Sequence, residues 1–457
     1  MRKAVKLLID AQQIASAVGV PCIVSARMQT AMQLWESLYR NETSWQKDRV
    51  RPLRLPSVIA KELKRLVLKE FTFSVNDAQI HAAFQQLTAI LRRKLDSGLS
   101  MGGLLFKPYW VNGQLLTDIV PQNQYLPINY TNNSCDAVAC PETIVIGRTS
   151  YTRIETHMFD RTMQTHTITN QCFRSDSPGF IGRECSLKEV PAWADMTPEK
   201  IFNHVRQPLF SVFQMPDANS IDPDSPLGIS AFADAVDFIR DADIHWERIL
   251  WELESSERAI DASESLFRMK NGKPVLPKGR ERMFRTFTGN PNTEKSFFTA
   301  FSPEIRDTSY FHAWNQMLRR IESACGLSYG FLSEIEDVEK TAEEIKSSKQ
   351  RSFDRIHDIQ ESLRTALEGS VYGLQYLRDY YENRSQGNAV LTCTFGDGVL
   401  EDTDKEFNRR MQMVTAGILS KEQFLMWYFS CDEADINKYL PKMQSLFGGQ
   451  HADSITI

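Results

Sequence analysis

Residues 341–381 read TAEEIKSSKQRSFDRIHDIQESLRTALEGSVYGLQYLRDYY, and this stretch decides the architecture. Thr341 and Glu344 stand three apart ahead of an apolar run. That is the spacing of a capping box, in which hydroxyl and carboxylate each satisfy the other's backbone donor. Ile345, Phe353, Ile356, Ile359, Leu363, Leu367, Val371, Leu374, Leu377 and Tyr381 then recur at steps of mostly three and four. One face of a single helix is therefore apolar. About 40 residues at about 1.5 Å each give a rod of about 60 Å. A rod that long predicts a spar in an extended or assembled protein. Gly369 and Gly373 are expected to weaken it locally and permit a bend.

Upstream of the rod, residues 327–340 carry an acidic run, Glu334, Glu336, Asp337 and Glu339, followed by Lys340. Asp307 or Thr308 is placed to cap a helix bearing Phe311, Trp314, Leu318 and Ile321, which ends near Gly326. Residues 266–306 read as strands and turns, with an Asn271-Gly272 turn. Nine bases (Arg268, Lys270, Lys273, Lys278, Arg280, Arg282, Arg285, Lys295, Arg306) meet three acids (Glu281, Glu294, Glu304), a local balance of +6. Such a segment is either a solvated basic loop or a docking surface for an acidic partner or nucleic acid. Before it, Ser225-Pro226 has the form of an N-cap and first-turn pair. Ile229, Phe232, Val236, Ile239, Trp246, Ile249, Leu250 and Leu253 trace one stripe, predicting a helix of about 25–30 residues and about 40 Å. Asp234, Asp237, Asp241 and Asp243 lie mostly off that stripe.

The N-terminal hundred residues read as mainly helical, over 57–71 and 78–95 in particular. Lys61, Lys64, Arg65 and Lys69 form a solvated face of the first. Residues 104–111 and 114–120 flank Asn112-Gly113, a strong hairpin signal because both residues tolerate positive φ. Further strands are predicted at 143–146, 151–159 and 165–173. Thr197-Pro198 is expected to open a short helix. A short strand at 390–395 and two helices broken at Gly417 close the pattern. The fold class is α+β.

The composition is that of an ordinary globular chain. In 457 residues, 42% are hydrophobic, 24% charged and 10% aromatic, which excludes collagen, a disordered tail and a disulfide miniprotein. A net charge of −5 gives no global attraction to nucleic acid. No run of about 18 apolar residues occurs, so no spanning helix and no membrane partner are expected. Lys6 and Asp10 interrupt the N-terminal apolar stretch, which reads as an amphipathic helix rather than a signal peptide. The eight cysteines are scattered without a C-x-x-C pair, which fits a reducing compartment. His157, His166, Cys172 and Cys185 match no zinc-ligand spacing, and no metal or cofactor is expected. There is no phosphate-binding G-x-x-x-x-G-K-[ST], no H-E-x-x-H and no G-x-G-x-x-G. Gly98-Leu-Ser100-Met-Gly102 matches G-x-S-x-G, but helix precedes and strand follows, the reverse of a nucleophile elbow. No enzyme is expected.

The order of parts, with several stretches as they stand, resembles the portal protein family of tailed double-stranded DNA bacteriophages, most closely the long-tailed, non-contractile branch. Those stretches are Gly102-Gly-Leu-Leu-Phe-Lys107 leading to Ile119-Val-Pro121 and Tyr125-Leu-Pro127; Ser225-Pro-Leu-Gly-Ile229 with the helix through Asp241 and Asp243 to Glu254; Thr341-Ala-Glu-Glu-Ile345; and Phe395-Gly-Asp397 before Ala416-Gly-Ile-Leu-Ser420. The resemblance implies a homododecameric ring in the virion, at the portal vertex of the capsid and assembled in the host cytoplasm. DNA would enter and leave through the ring. It implies a wing over 1–225, a first stem helix over 226–260, a clip over 261–306 and a second stem helix over 307–326. A tunnel loop over 327–340, a long wing helix over 341–385 and a crown over 386–457 would follow. Glu334, Glu336, Asp337, Glu339 and Lys340 would line the DNA channel. Arg268, Lys270, Lys278, Arg280, Arg282 and Arg285 would dock the terminase large subunit and a head–tail adaptor. Major capsid and scaffolding proteins would be the other partners.

Twelve helices at about 10 Å spacing make a circle about 120 Å round and about 38 Å across. Removing about 10 Å for helix thickness leaves a bore of about 28 Å, wide enough for a duplex. Acidic residues facing it would repel phosphate, whereas basic ones release counterions and bind. Without a nucleotide fold, ATP hydrolysis would belong to a separate motor subunit. The alternatives are a nucleic-acid-binding enzyme using the basic insert 266–306, and another structural capsid or scaffold protein.

Overall fold

The computed structural model describes residues 10–429, except 47–48, 132–133, 178, 271, 278–282, 288–297, 303, 305, 335–341, 386 and 397–402. Three helices come first: α1 (Ala11–Val18), α2 (Ala26–Arg40) and α3 (Leu55–Val67). A short strand, β1 (Thr72–Val75), and the long α4 (Ala78–Met101) follow. Asp77 caps α4 by accepting from the backbone N–H groups of Gln79 and Ile80. Ile80, Phe84, Leu87, Leu91, Leu95 and Leu99 are sealed from solvent along one face of α4, which packs on α2, α3 and α7 (Ala342–Tyr381).

The β region comprises β2 (Gly103–Val111), β3 (Gln114–Pro121), β4 (Leu126–Thr131), β5 (Ser134–Ile146), β6 (Thr149–Asp160), β7 (Thr165–Ser175), β8 (Arg183–Cys185), β9 (Glu199–Asn203) and β10 (Ser211–Gln214). One sheet has the order β10-β2-β3. A second has the order β4-β5-β6-β7-β8, with β9 also on β7. The β2–β3 hairpin turns at Asn112 (φ 50°) and Gly113 (φ 77°), as its sequence requires. Thr197-Pro198 opens no helix. Asn170 takes up both carbonyls, its amide side chain donating to Thr197 and its backbone N–H to Pro198, and the chain passes directly into strand β9.

The rest of the chain runs α5 (Val236–Ser255), β11 (Ala259–Ser263), β12 (Met269–Lys270), β13 (Lys273–Pro274), β14 (Phe284–Phe287), β15 (Phe298–Phe301), α6 (Asp307–Ala324), the 40-residue α7 and β16 (Leu391–Thr394). β16 pairs with β1, which joins residues more than 300 positions apart. The rod thus has its expected length. It continues through Gly369 and Gly373 without a break. A Cβ at Gly369 would lie 2.8 Å from that of Ser211, and one at Gly373 would lie 3.0 Å from the Leu209 carbonyl. Both glycines let the helix approach β10 and the chain leading into it, where the Ser211 hydroxyl donates to the Ala366 carbonyl at 2.6 Å. The capping box at Thr341 lies outside the described residues.

The helix expected to begin at Ser225 begins ten residues later. Residues 225–232 are held by backbone bonds to distant strands and helices instead. Gln122, fully buried, clasps Gly228 from both sides: its Nε2 donates to the Gly228 carbonyl at 2.8 Å and its Oε1 accepts the Gly228 N–H at 3.2 Å. Nε2 also donates to the Met101 carbonyl, and Ala231 N–H donates to Leu99 O. A Cβ on Gly102 would fall 2.3 Å from the Gly228 carbonyl oxygen. The backbones of 102–103 and 227–229 can cross only because both contact residues are glycine. Helix α5 is consequently 20 residues, about 30 Å. Asp243 is not an outward residue. It is 2% exposed and accepts from Trp45 Nε1 at 2.8 Å and Leu53 N–H at 2.9 Å.

Residues from 397 onward form a separate compact unit. Its described part is α8 (Thr403–Thr415) and α9 (Lys421–Phe429), joined by a turn at Gly417 (φ 71°), the break expected there. Phe407 packs its ring on Phe424 and Tyr428, and the Arg410 guanidinium lies 4.4 Å from the Trp427 ring centre.

Candidate functional site

Helices α5 and α6 form an antiparallel pair. At the far end, Arg306 at the start of α6 grips Glu252 near the end of α5 with two bonds, Nε to Oε1 at 3.0 Å and a terminal nitrogen to Oε2 at 2.6 Å. That contact lowers the Glu252 pKa and raises that of Arg306. Midway, His245 Nε2 meets the Tyr310 carbonyl at 3.2 Å, and the Trp246 and Trp314 rings lie 5.3 Å apart. At the near end, Ile239, Ala242, Leu318, Ile321 and Cys325 belong to the main core. The pair therefore rises out of the body. Phe238, Leu250, Trp251 and Leu253 of α5 and Phe311 of α6 remain at least 43% exposed along it. Helix α6 starts at Asp307 itself. Arg306 holds the capping position without a side-chain cap, so neither Asp307 nor Thr308 serves there as expected.

Between the two helices stands the basic lobe. Its centre is β11, paired in parallel with β14 and antiparallel with β15. β12 and β13 form a small hairpin around Gly272 (φ 73°). Arg268, Lys270 and Lys273 are exposed on and beside that hairpin. Arg285 is placed differently. Its guanidinium sits 4.1 Å from the centre of the Phe301 ring and 4.0 Å from the Asp261 carboxylate, so it also braces the three strands. Lys278, Arg280 and Arg282 lie outside the described residues.

The acidic loop has a defined root. Gly326 (φ 62°) turns the chain off α6, and Leu327 N–H reaches back to the Glu322 carbonyl at 2.8 Å. The Glu322 side chain is completely buried. Its carboxylate accepts from the backbone N–H groups of Leu332 and Ser333, the latter at 2.8 Å, and from the Ser333 hydroxyl at 2.8 Å. Asn315 clasps the next residue in both directions: its Oδ1 accepts Glu334 N–H at 2.8 Å and its Nδ2 donates to Glu334 O at 3.1 Å. Arg355 of α7 donates to Cys325 O, to Ala231 O at 3.2 Å and to Asp217 Oδ2 at 2.8 Å. Glu334 thus lies against α6 with its side chain in solvent. Glu336, Asp337, Glu339 and Lys340 lie outside the described residues.

Sequence patterning missed Glu322, Asn315, Arg355 and Gln122. A signal for Glu322 existed: with Leu318, Ile321 and Cys325 it occupies the apolar stripe of α6, where a carboxylate needs partners. The G-x-S-x-G match is structural, since Ser100 is buried near the end of α4 with its hydroxyl donating to Asp96 O at 2.8 Å. His157, His166, Cys172 and Cys185 fall into two pairs, His with His at 3.1 Å and Cys with Cys. Six residue steps along β7, about 20 Å, separate His166 from Cys172. Among the described residues no group of three or more His, Cys, Asp or Glu side chains is placed to hold a metal, and no helix is long and apolar enough to cross a membrane.

The histidine pair belongs to a buried charge network joining the two sheets. Lys107 of β2 reaches Glu155 of β6 at 2.7 Å, Arg153 binds Glu155 and Glu142 at 2.9 Å each, and His157 Nε2 meets Glu155 at 2.8 Å. Burial alone would raise the Glu155 pKa, but Lys107, His157 and Arg153 together hold it well below the usual carboxylate range. Burial keeps both histidines below their ordinary value. No protein-family model matches the chain, and no curated protein matches it.

Proposed function

We propose that this chain is the portal subunit of a tailed double-stranded DNA bacteriophage of the long-tailed, non-contractile kind. Twelve copies close into a ring at one capsid vertex of the virion, and DNA passes through it during packaging and ejection. The basic lobe receives the terminase large subunit and later a head–tail adaptor. Major capsid and scaffolding proteins surround the body, and ATP is hydrolysed by the separate motor. One observation supports this reading most: a helix pair leaves the α+β body, carries a basic β lobe at its far end, and returns to the root of an acidic loop. Exposed Phe238, Leu250, Trp251, Leu253 and Phe311 along that pair suit burial against neighbouring copies, because exposed apolar groups that cluster mark interaction surfaces.

Light scattering and negative-stain microscopy of the purified full chain test it. The expected result is a ring of about twelve 52.4 kDa subunits with an open axial hole. A monomer with nuclease activity would establish the enzyme alternative instead. A closed assembly without a hole would indicate another capsid or scaffold protein.

A further inference from the structure

Cys172 on β7 and Cys185 on β8 are direct cross-strand partners in the antiparallel ladder, and their sulfur atoms lie 3.4 Å apart. Twelve residues separate them in sequence, so only the fold brings them together. Cys172 is 2% exposed, whereas Cys185 is half-buried and reachable from solvent. Arg174 and Arg183, the pair two residues further along the same ladder, share this face. Beneath the thiols, Leu187, Val190 and Trp193 form a small core of their own with Cys172. β8 itself is only three residues long and stands at the sheet edge. A covalent link here would fasten the excursion after β7 that carries Trp193 over the sheet.

We propose that Cys172 and Cys185 are a redox modification site that takes a small-molecule disulfide as its oxidant and becomes an intramolecular cross-link. The Cys185 thiolate attacks the small disulfide, forming a mixed disulfide and releasing one small thiolate. The Cys172 thiolate then attacks the Cys185 sulfur, forming the protein disulfide and releasing the second. The protein loses two electrons and two protons, and the small disulfide is reduced to two thiols. In the reducing compartment expected from the cysteine pattern, the pair stays a dithiol. Outside it, the link forms once and persists. Burial pushes both thiols up, Cys172 to about 12, so cross-linking is slow at neutral pH. Its rate rises about tenfold per pH unit, with the thiolate fraction.

The test incubates the full-length protein with oxidised glutathione, blocks remaining thiols with an alkylating reagent, and maps peptides by mass. The expected product is one peptide pair joined through Cys172 and Cys185. In Cys172→Ser, glutathione stays on Cys185, because the resolving thiol is gone. In the wild type, amide exchange over Arg183–Cys185 slows on the order of a hundredfold, the effect of closing a loop of about 15 residues. If Cys172 and Cys185 both still take the alkylating reagent while half-buried Cys22 or Cys393 carries glutathione, the proposal is overturned. A Cys172 or Cys185 cross-link to any other cysteine overturns it equally. The wild-type map decides the matter even where the serine variant does not fold.

Discussion

Glu322→Leu would unfasten the root of the acidic loop, and Glu322→Gln would loosen it by a calculable amount. In the wild type, three donors converge on one buried carboxylate: two backbone N–H groups and the Ser333 hydroxyl. Leucine keeps the volume and removes every acceptor. Each backbone donor then costs about 1–3 kcal/mol as a buried unpaired group, so the pair costs about 2–6 kcal/mol. Glutamine retains one oxygen, which can stay on the two backbone donors. Its amide nitrogen then faces the Ser333 oxygen, which already accepts from Gly330 N–H at 3.1 Å. The loss is the charge assistance and one compromised bond, about 1–2 kcal/mol. Hydrogen exchange at the Leu332 and Ser333 amides reads these numbers directly. At tenfold per 1.4 kcal/mol, the expected acceleration is about 5- to 30-fold for glutamine and at least about 30-fold for leucine. Exchange at Ile239 and Ala242 in the core should not change. If wild type and Glu322→Leu exchange at the same rate at both amides, the carboxylate does not hold the loop, and this account of its root is wrong.

Gly102→Ala should prevent folding or lower the melting temperature steeply, since the new methyl meets the Gly228 carbonyl at a φ of +90°. Gly113→Ala, at φ +77° but in open space, should cost only about 1–2 kcal/mol in a denaturant titration. Thermal stability should decline as pH falls below about 6.5, the ordinary histidine value, because His157 and His166 are held neutral in the fold and protonate more readily once unfolded. A second decline should begin below about 4.5, where the unfolded chain takes up a proton at Glu155 while Lys107, His157 and Arg153 keep the folded carboxylate charged, and it should continue until the pH reaches the lowered folded value. Glu155→Gln should destabilise by about 3–5 kcal/mol at pH 7 and flatten the second decline; a melting curve unchanged from pH 7 to pH 4 would exclude the network as a determinant of stability. Charge reversal at Arg268 and Lys270 should abolish docking of the motor or adaptor while rings still form. Arg285→Glu should instead disturb the lobe itself, visible as faster amide exchange in β11.

Periodicity made the long elements readable. The 40-residue rod, the Asn112-Gly113 hairpin and the helices around Leu63 and Leu87 follow from local rules, because each buries one face and breaks at a recognisable residue. The failures share a different cause. Ser225-Pro226 carries a helix-start signal that loses to tertiary bonds: Gln122, more than 100 residues away, supplies the partners that a helix would have supplied from within. Thr197-Pro198 loses in the same way to Asn170. Asp243 lies off the apolar stripe yet is buried, because its two donors, Trp45 and Leu53, come from a loop nearly 200 positions upstream. Of the candidate site, sequence identified the charges and their order but not their supports. Arg285 read as one base among nine, yet Asp261 and Phe301 engage it inside the lobe.

The supports also explain why opposite charges can coexist on one helix pair. The basic lobe meets α6 at Arg306, and the acidic loop leaves α6 after Cys325. The helix between them has 18 residues, about 27 Å. That is about three Debye lengths at physiological salt, so through solvent the two regions hardly sense each other. Each end is fixed by its own buried or bidentate carboxylate, Glu252 on Arg306 at one and Glu322 on the loop backbone at the other. In a ring, that separation would let a surface that grips a partner and a surface that must not grip DNA sit on the same rigid element. Shortening α6 by one turn would bring the two regions only about 5 Å closer, but it would break the match of Trp246 to Trp314 and of Glu252 to Arg306. The length of the helix is therefore set by its pairing with α5, and the charge separation follows from that pairing.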